Sequence, residues 1–158
     1  MKLVKVLCSL LLVVSLVACS NTDSNKEEVF DNTAYVSLMN EYGANGVKVA
    51  YNTFLQDGNT EWLYSDLSKI EGVYFDGIKA AVEGLTFTEG GTCGNAIARV
   101  VLQSGANIVY LYVYDNATAS VRTDKGEVVY TVSQDSIDTL VTAIENAFVA
   151  YEAFRTGK

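Results

Sequence analysis

Three tyrosines at alternate positions, Tyr110, Tyr112 and Tyr114, are the residues whose type and spacing best suit ligand binding. Alternate residues of a β-strand point to the same side, so this spacing predicts one tyrosine-lined sheet face. Each ring offers an apolar body and a polar hydroxyl, and can stack on a sugar or anchor a peptide. Aromatic residues also favour strands for packing alone, so the rings can equally cover a half-buried face. Arg99 and Tyr130 are candidates for the same face, depending on strand register.

A second candidate is Cys93, which lies in the glycine-rich run from Gly90 to Gly94. A reactive thiol needs its pKa lowered by nearby positive charge or by a helix N-terminus. The nearest basic residue in sequence is Arg99 and histidine is absent, so the pattern favours a flexible loop over a nucleophile. The run also lacks the Lys and Ser or Thr that complete a phosphate-binding loop.

Acidic and amide residues form two further groups, Asp57 with Asn59 and Glu61, and Asp115 with Asn116. Calcium takes about six to eight oxygen ligands, usually at fixed offsets that end in a glutamate. Neither group fits that pattern, so both are interpreted as solvated turns, and no metal or cofactor is expected. The 19 acidic residues also allow chance carboxylate pairs of the kind that hydrolyse glycosides.

Composition excludes several classes of function. The chain contains no histidine, which removes Ser-His-Asp and Cys-His catalysis and the commonest zinc ligand. Two of the 11 basic residues, Lys2 and Lys5, lie at the extreme N-terminus, which leaves nine against 19 acidic residues. Nucleic acids are bound through clustered Lys and Arg, and no such cluster exists here, so a nucleic-acid partner is not expected.

The N-terminal segment carries the strongest pattern in the chain. Lys2 and Lys5 precede an apolar run of 12 residues, from Val6 to Val17, and an unbroken polar stretch follows Cys19. A membrane-spanning helix needs about 20 apolar residues, whereas the core of a signal peptide needs about 7–15. The segment therefore predicts export.

The residues Leu16, Val17, Ala18 and Cys19 resemble the lipobox of bacterial lipoproteins. The resemblance implies that a diacylglycerol is attached to the Cys19 thiol and that a peptidase cuts before this cysteine. Two acyl chains give stable anchoring where one gives marginal binding, so the lipid bilayer is the implied partner. An ordinary secretory signal with a chance cysteine is the alternative.

These observations divide the chain into a lipoprotein signal peptide at 1–18, a flexible polar tether at 19–33 and one globular domain at 34–158. The implied location is the extracytoplasmic face of the cell membrane. Cys8 leaves with the signal and Cys19 carries lipid, so Cys93 stands alone and no internal disulfide can form.

Alternating apolar residues predict strands at 47–55, 60–64, 95–103, 107–114, 119–123 and 127–132. Apolar residues at steps of three and four predict two helices. One is capped by Ser65 or Asp66 and stops at Gly84, and the other is capped by Ser133. Residues 34–42 fit either a short helix or an irregular strand.

Short loops between strands require antiparallel pairing. The predicted fold is therefore α+β, an antiparallel sheet of five to six strands with two helices packed on one face. The whole domain is similar to small lipoprotein domains of unknown function in Gram-positive bacteria. That similarity is carried by the hydrophobic pattern of residues 70–85, 108–114 and 128–140, and it implies no functional residue.

The sequence thus predicts a non-catalytic binding or interaction domain whose ligand is a protein, peptide or glycan. Its candidate surface is the face bearing Tyr110, Tyr112 and Tyr114. Two alternatives stay open, a small carboxylate-dependent enzyme of the cell envelope and an inhibitor or immunity-type protein.

Overall fold

The computed structural model describes residues 32–54 and 59–158. The signal peptide, the lipobox and nearly all of the tether lie outside these ranges. The elements, in chain order, are α1 (Asn32–Gly46), β1 (Val47–Phe54), β2 (Thr60–Asp66), a 3-10 turn (Leu67–Lys69), α2 (Gly72–Glu83), β3 (Thr88–Glu89), β4 (Ala96–Ser104), β5 (Asn107–Tyr114), β6 (Thr118–Thr123), β7 (Gly126–Thr131) and α3 (Gln134–Thr156).

All seven strands of the described ranges form one sheet in the order β2-β1-β4-β5-β6-β7-β3. Every neighbouring pair is antiparallel. The strands from β4 to β7 form a meander with short turns, and the β1–β2 pair joins it where β1 lies beside β4. The predicted α+β class and antiparallel sheet are therefore confirmed.

The predicted element count was too low, because within the described residues the sheet has seven strands rather than five or six, and three helices rather than two accompany it. The extra strand, β3, is only two residues long, which is too short to show periodicity. The extra helix, α1, settles the ambiguous segment and begins at Asn32, inside the predicted tether. Its buried residues, Tyr35 and Met39, are four apart, as on one face of a helix.

The helix predicted to start at Ser65 or Asp66 starts later. β2 continues to Asp66, whose carboxylate accepts hydrogen bonds from the backbone N–H of Ser68 at 3.0 Å and from its hydroxyl at 2.6 Å. That cap closes a 3-10 turn, and α2 begins only at Gly72. Ser133 does occupy the N-cap position of α3, but its side chain makes no capping hydrogen bond.

The three helices pack on one face of the sheet. α1 contacts β1 and β4, α3 contacts β1, β2 and β4, and α2 packs against both α1 and α3. The sheet side of this core includes small and branched apolar residues with at most 1% exposure: Val47, Val49, Ala98, Val100, Leu102, Leu111 and Val113. No helix in the described ranges is long and apolar enough to cross a membrane.

Candidate binding surface on the open face of the sheet

The sheet residues that alternate with this core point away from the helices, and we call the surface that they form the open face. Tyr110, Tyr112 and Tyr114 all lie on it, because the intervening Leu111 and Val113 are fully buried in the core. No helix or strand within the described residues packs over this surface.

Strand register shows on which side of the sheet the other two candidates, Arg99 and Tyr130, lie. Arg99 pairs with Tyr112 and shares the open face. Tyr130 pairs with Ala119, which in turn pairs with the core residue Val113. Tyr130 therefore points to the helices, where it is fully buried, so its candidacy for the open face was wrong.

Arg99 is held between two aromatic rings that sequence reasoning did not assign to the site. Its guanidinium carbon lies 4.6 Å from the ring centroid of Trp62 and 5.0 Å from that of Tyr64. It also donates a hydrogen bond to the Tyr64 hydroxyl. Ala50 pairs with Tyr64 on one side and Arg99 on the other, so its small side chain lets the two meet across β1.

The tyrosines of β5 stack along the strand. The ring centroids of Tyr110 and Tyr112 are 5.8 Å apart with planes 17° apart, and those of Tyr112 and Tyr114 are 6.4 Å apart at 29°. Trp62 meets Tyr112 edge-on at 6.5 Å, and the Arg122 guanidinium lies 5.3 Å from the Tyr112 ring. The rings and arginines therefore form one continuous cluster.

We call this cluster the aromatic array, comprising Trp62, Tyr64, Arg99, Tyr110, Tyr112 and Arg122. Neighbouring rings and guanidinium groups occupy the electron-rich ring faces within it. An aromatic ring has a negative face and a positive edge. Where a ring face is occupied by a neighbour, the array presents positive ring edges, hydroxyl groups and guanidinium N–H groups, which can hold an oxygen-rich anion.

Tyr114 differs from its two neighbours, because it is only 6% exposed. Its hydroxyl lies 2.8 Å from the hydroxyl of Ser120 and donates to Glu127 at 3.4 Å. Burial, and secondly a contact with the Cys93 thiol, raise the pKa of Tyr114 well above its ordinary value. Tyr114 thus lies beside the array at the end of β5 and, of the three predicted tyrosines of this strand, is the buried one.

A polar network continues from Tyr114 along β6 and β7. Ser120 is fully buried, and its hydroxyl donates to the Glu127 carboxylate at 2.6 Å. Arg122 pairs with the other Glu127 oxygen at 2.9 Å. The Ser120 hydrogen bond and then Arg122 hold the pKa of Glu127 below its usual range against partial burial. Glu127 therefore remains ionised near neutral pH and is unsuited to act as a general acid.

The glycine-rich run is tied to the end of the sheet. The Gly90 N–H donates to the Val129 carbonyl at 3.2 Å, and the Asn116 side-chain amide donates to the Thr92 carbonyl at 2.8 Å. Cys93 is exposed and lies beside the phenol of Tyr114. This phenol does not supply the positive charge that a nucleophilic thiol requires.

Asp115 holds the C-terminal end of the glycine-rich run through hydrogen bonds to Asn95. Its carboxylate accepts the Asn95 backbone N–H at 2.9 Å and the Asn95 side-chain amide at 2.8 Å, and these bonds lower its pKa. Gly94 lies so close to the Asp115 and Asn116 side chains that a Cβ at this position would overlap Asp115 and come within 2.8 Å of Asn116. This group is a structural latch.

Metal binding finds no support in the part of the chain that the structure describes, where no three Cys, Asp or Glu side chains gather as ligands. Asn59 and Glu61 are exposed, and Asp57 lies outside the described residues.

No family model, curated protein or solved structure matches this chain.

Proposed function

We propose that this chain is a lipid-anchored, extracytoplasmic binding protein whose ligand is held by the aromatic array. The anchoring half of the proposal rests on the pattern that ends at Cys19. The binding half rests on the open face, because the array is a large aromatic surface that no described element covers.

The observation that carries the proposal is the position of Arg99. Its guanidinium group lies over the rings of Trp62 and Tyr64, and within the described residues no carboxylate forms an ion pair with it. A guanidinium group that is stacked on aromatic rings is well suited to grip a carboxylate or phosphate. The array therefore fits an acidic ligand, supplied either by a glycan or by a peptide.

An enzyme that works with carboxylates needs one acid whose pKa is raised, so that it can donate a proton near neutral pH. The carboxyl groups of Asp115 and Glu127 both have a lowered pKa, so neither suits that role. This direction favours binding over acid catalysis.

Ligand binding is tested by titrating the domain with acidic and neutral oligosaccharides and peptides while following the fluorescence of Trp62, the single tryptophan. We expect saturable changes with acidic ligands only. Tyr64→Ser and Arg99→Gln should weaken binding by about tenfold or more, the scale of a central interface contact.

The matched control is Phe154→Ser, because Phe154 is 57% exposed on α3 and Tyr64 is 54% exposed on the open face. The control should bind like the parent. Equal loss in both variants, or no saturable binding by any acidic ligand, would refute the role of the array. Tyr114 is unsuitable for this test because replacing it would disturb the fold.

The anchor is tested separately by mass spectrometry of the mature N-terminus from intact cells. We expect the chain to begin at Cys19 with a diacylglyceryl group on the thiol, and Cys19→Ser to release the protein from the membrane. An N-terminal peptide that retains residues 1–18, or an unmodified Cys19, would contradict anchoring without affecting the binding result.

A further inference from the structure

A groove of about 470 Å³ lies between α2 and α3, on the helical side of the molecule. The two helices run antiparallel, since Ser136 at the start of α3 donates a hydrogen bond to the Gly84 carbonyl at the end of α2. The groove is lined mostly by apolar and small residues: Val73, Tyr74, Gly77, Ala143, Asn146 and Val149.

Two large apolar side chains stand open to solvent in this groove. Val73 is 64% exposed and Val149 is 67% exposed. Gly77 also lines the groove, and an added Cβ there would meet nothing within 4 Å. Exposed valines beside an open glycine leave apolar surface that a helix could bury.

The charge of the two helices is one-sided. Their only basic residues, Lys79 and Arg155, are already paired with acids of their own helix, Lys79 with Asp76 at 3.3 Å and Arg155 with Glu152 at 2.8 Å. Four more acids of the helices form no ion pair within the described residues: Glu83, Asp135, Asp138 and Glu145. The apolar groove is thus bordered by helices of net negative charge.

We propose that this groove is a docking site for a positively charged amphipathic helix of a partner protein. The apolar side chains of such a helix would cover Val73 and Val149, and its lysines or arginines would be attracted by the net negative charge of α2 and α3. A second copy of this chain would bring the same acids. Residues 19–31 are also a poor match, because they contain four acids and one lysine.

The probe is a synthetic amphipathic helical peptide with leucines on one face and lysines on the other, labelled for fluorescence anisotropy. A second peptide has the same leucines and glutamates in place of the lysines. We expect only the lysine peptide to bind the intact domain, and its affinity to fall as salt is added.

The blocking variant is Gly77→Leu, which fills the groove from a position where a side chain meets nothing. This variant and the Val73→Ser, Val149→Ser double variant should each weaken the lysine peptide by about tenfold or more, because apolar burial is lost. Tyr64→Ser, on the open face, should leave this affinity unchanged.

Equal affinity of both peptides would show that charge does not select the ligand. Undiminished binding of the lysine peptide to both groove variants would show that this peptide senses only overall negative charge. Either result would overturn the proposal. Sedimentation of the domain alone provides a further check. A dimer that Gly77→Leu dissociates would assign the groove to self-association instead. Neither outcome bears on the aromatic array, which these variants leave intact.

Discussion

Two buried serines, Ser120 and Ser65, make opposite predictions for the same substitution. Ser120 is fully buried and its hydroxyl bonds to Tyr114 at 2.8 Å and to Glu127 at 2.6 Å. Ser65 is 3% exposed, and its hydroxyl has no partner within the described residues. We expect Ser120→Ala to destabilise the domain and Ser65→Ala to leave its stability unchanged or raise it.

A hydrogen bond to a charged group contributes about 1.5–3 kcal/mol, and an unsatisfied buried hydroxyl costs about 1–3 kcal/mol. Because the Glu127 side chain is 29% exposed, water can replace part of the lost bond. Ser120→Ala should therefore lower the free energy of unfolding by about 2 kcal/mol, or the Tm by roughly 5–10 °C. Ser65→Ala should change it by about 0 to 1 kcal/mol in the stabilising direction.

The loss should depend on pH, because the Ser120 hydrogen bond is the main reason that the pKa of Glu127 is lowered. Because the pKa of Glu127 is lower in the folded state, its ionised form stabilises the fold. This stabilisation is complete above the unfolded-state pKa of about 4.3 and is lost as pH falls through the folded-state pKa. The difference between parent and Ser120→Ala should be largest near neutral pH and shrink in acid. The Tyr114 bond should preserve a remainder.

Urea unfolding followed by Trp62 fluorescence, repeated from neutral to acidic pH, measures both serine variants. If Ser120→Ala and Ser65→Ala cost the same, burial of a hydroxyl alone is being measured and the network argument fails. If the Ser120→Ala difference does not change with pH, Glu127 does not supply the interaction.

Two other predictions concern single atoms of the fold, and urea unfolding tests both. Gly94→Ala should destabilise the domain by about 2 kcal/mol, because the added Cβ displaces the Asp115 carboxylate. Gly77→Ala should stabilise it by about 0.5–1 kcal/mol, because Gly77 is an unhindered helix position. Equal effects of the two substitutions would contradict the structural role of Asp115. Tyr35→Phe should cost about 1–2 kcal/mol, because it removes a buried hydrogen bond of 2.8 Å to the Val100 carbonyl while keeping the ring; no loss would mean that this bond contributes nothing.

Periodicity in the sequence predicted the parts of the fold that are long and regular. The bounds of β5 match the predicted 107–114, and the buried stripe of α3, which includes Ile137, Leu140 and Ile144, has the predicted spacing. Each element buries one side over several turns or alternate positions, so apolar spacing specifies it, although the burial of α3 ends at Ala147 and Phe154 near its end is 57% exposed.

Elements that are short, or that bury few residues, show too little periodicity to be predicted from the sequence. β3 has two residues, and α1 buries only Tyr35 and Met39 completely, with a non-helical Gly43 near its end. The start of α2 was misplaced because the Asp66 side chain caps a 3-10 turn, which has the same polar-then-apolar pattern as a helix start.

The residues of the aromatic array could not be predicted together, because they come from several strands. The alternation within one strand does not show how that strand pairs with its neighbours. Alternation places Trp62 with Tyr64 and Tyr110 with Tyr112, but only the pairing of β1 with its two neighbours shows that Ala50 leaves space between Tyr64 and Arg99. The same limit explains Tyr130, whose side of the sheet is decided by its pairing across β6.

The two proposed surfaces have opposite chemistry and lie on opposite sides of the sheet. The open face holds Arg99 without an acidic partner in the described ranges, whereas the helices beside the groove hold surplus carboxylates. We therefore expect an acidic ligand to prefer the array and a basic helix to prefer the groove. Because the two surfaces share no residue, their binding free energies should add when both ligands are present, and any departure from additivity would have to pass through the core between them.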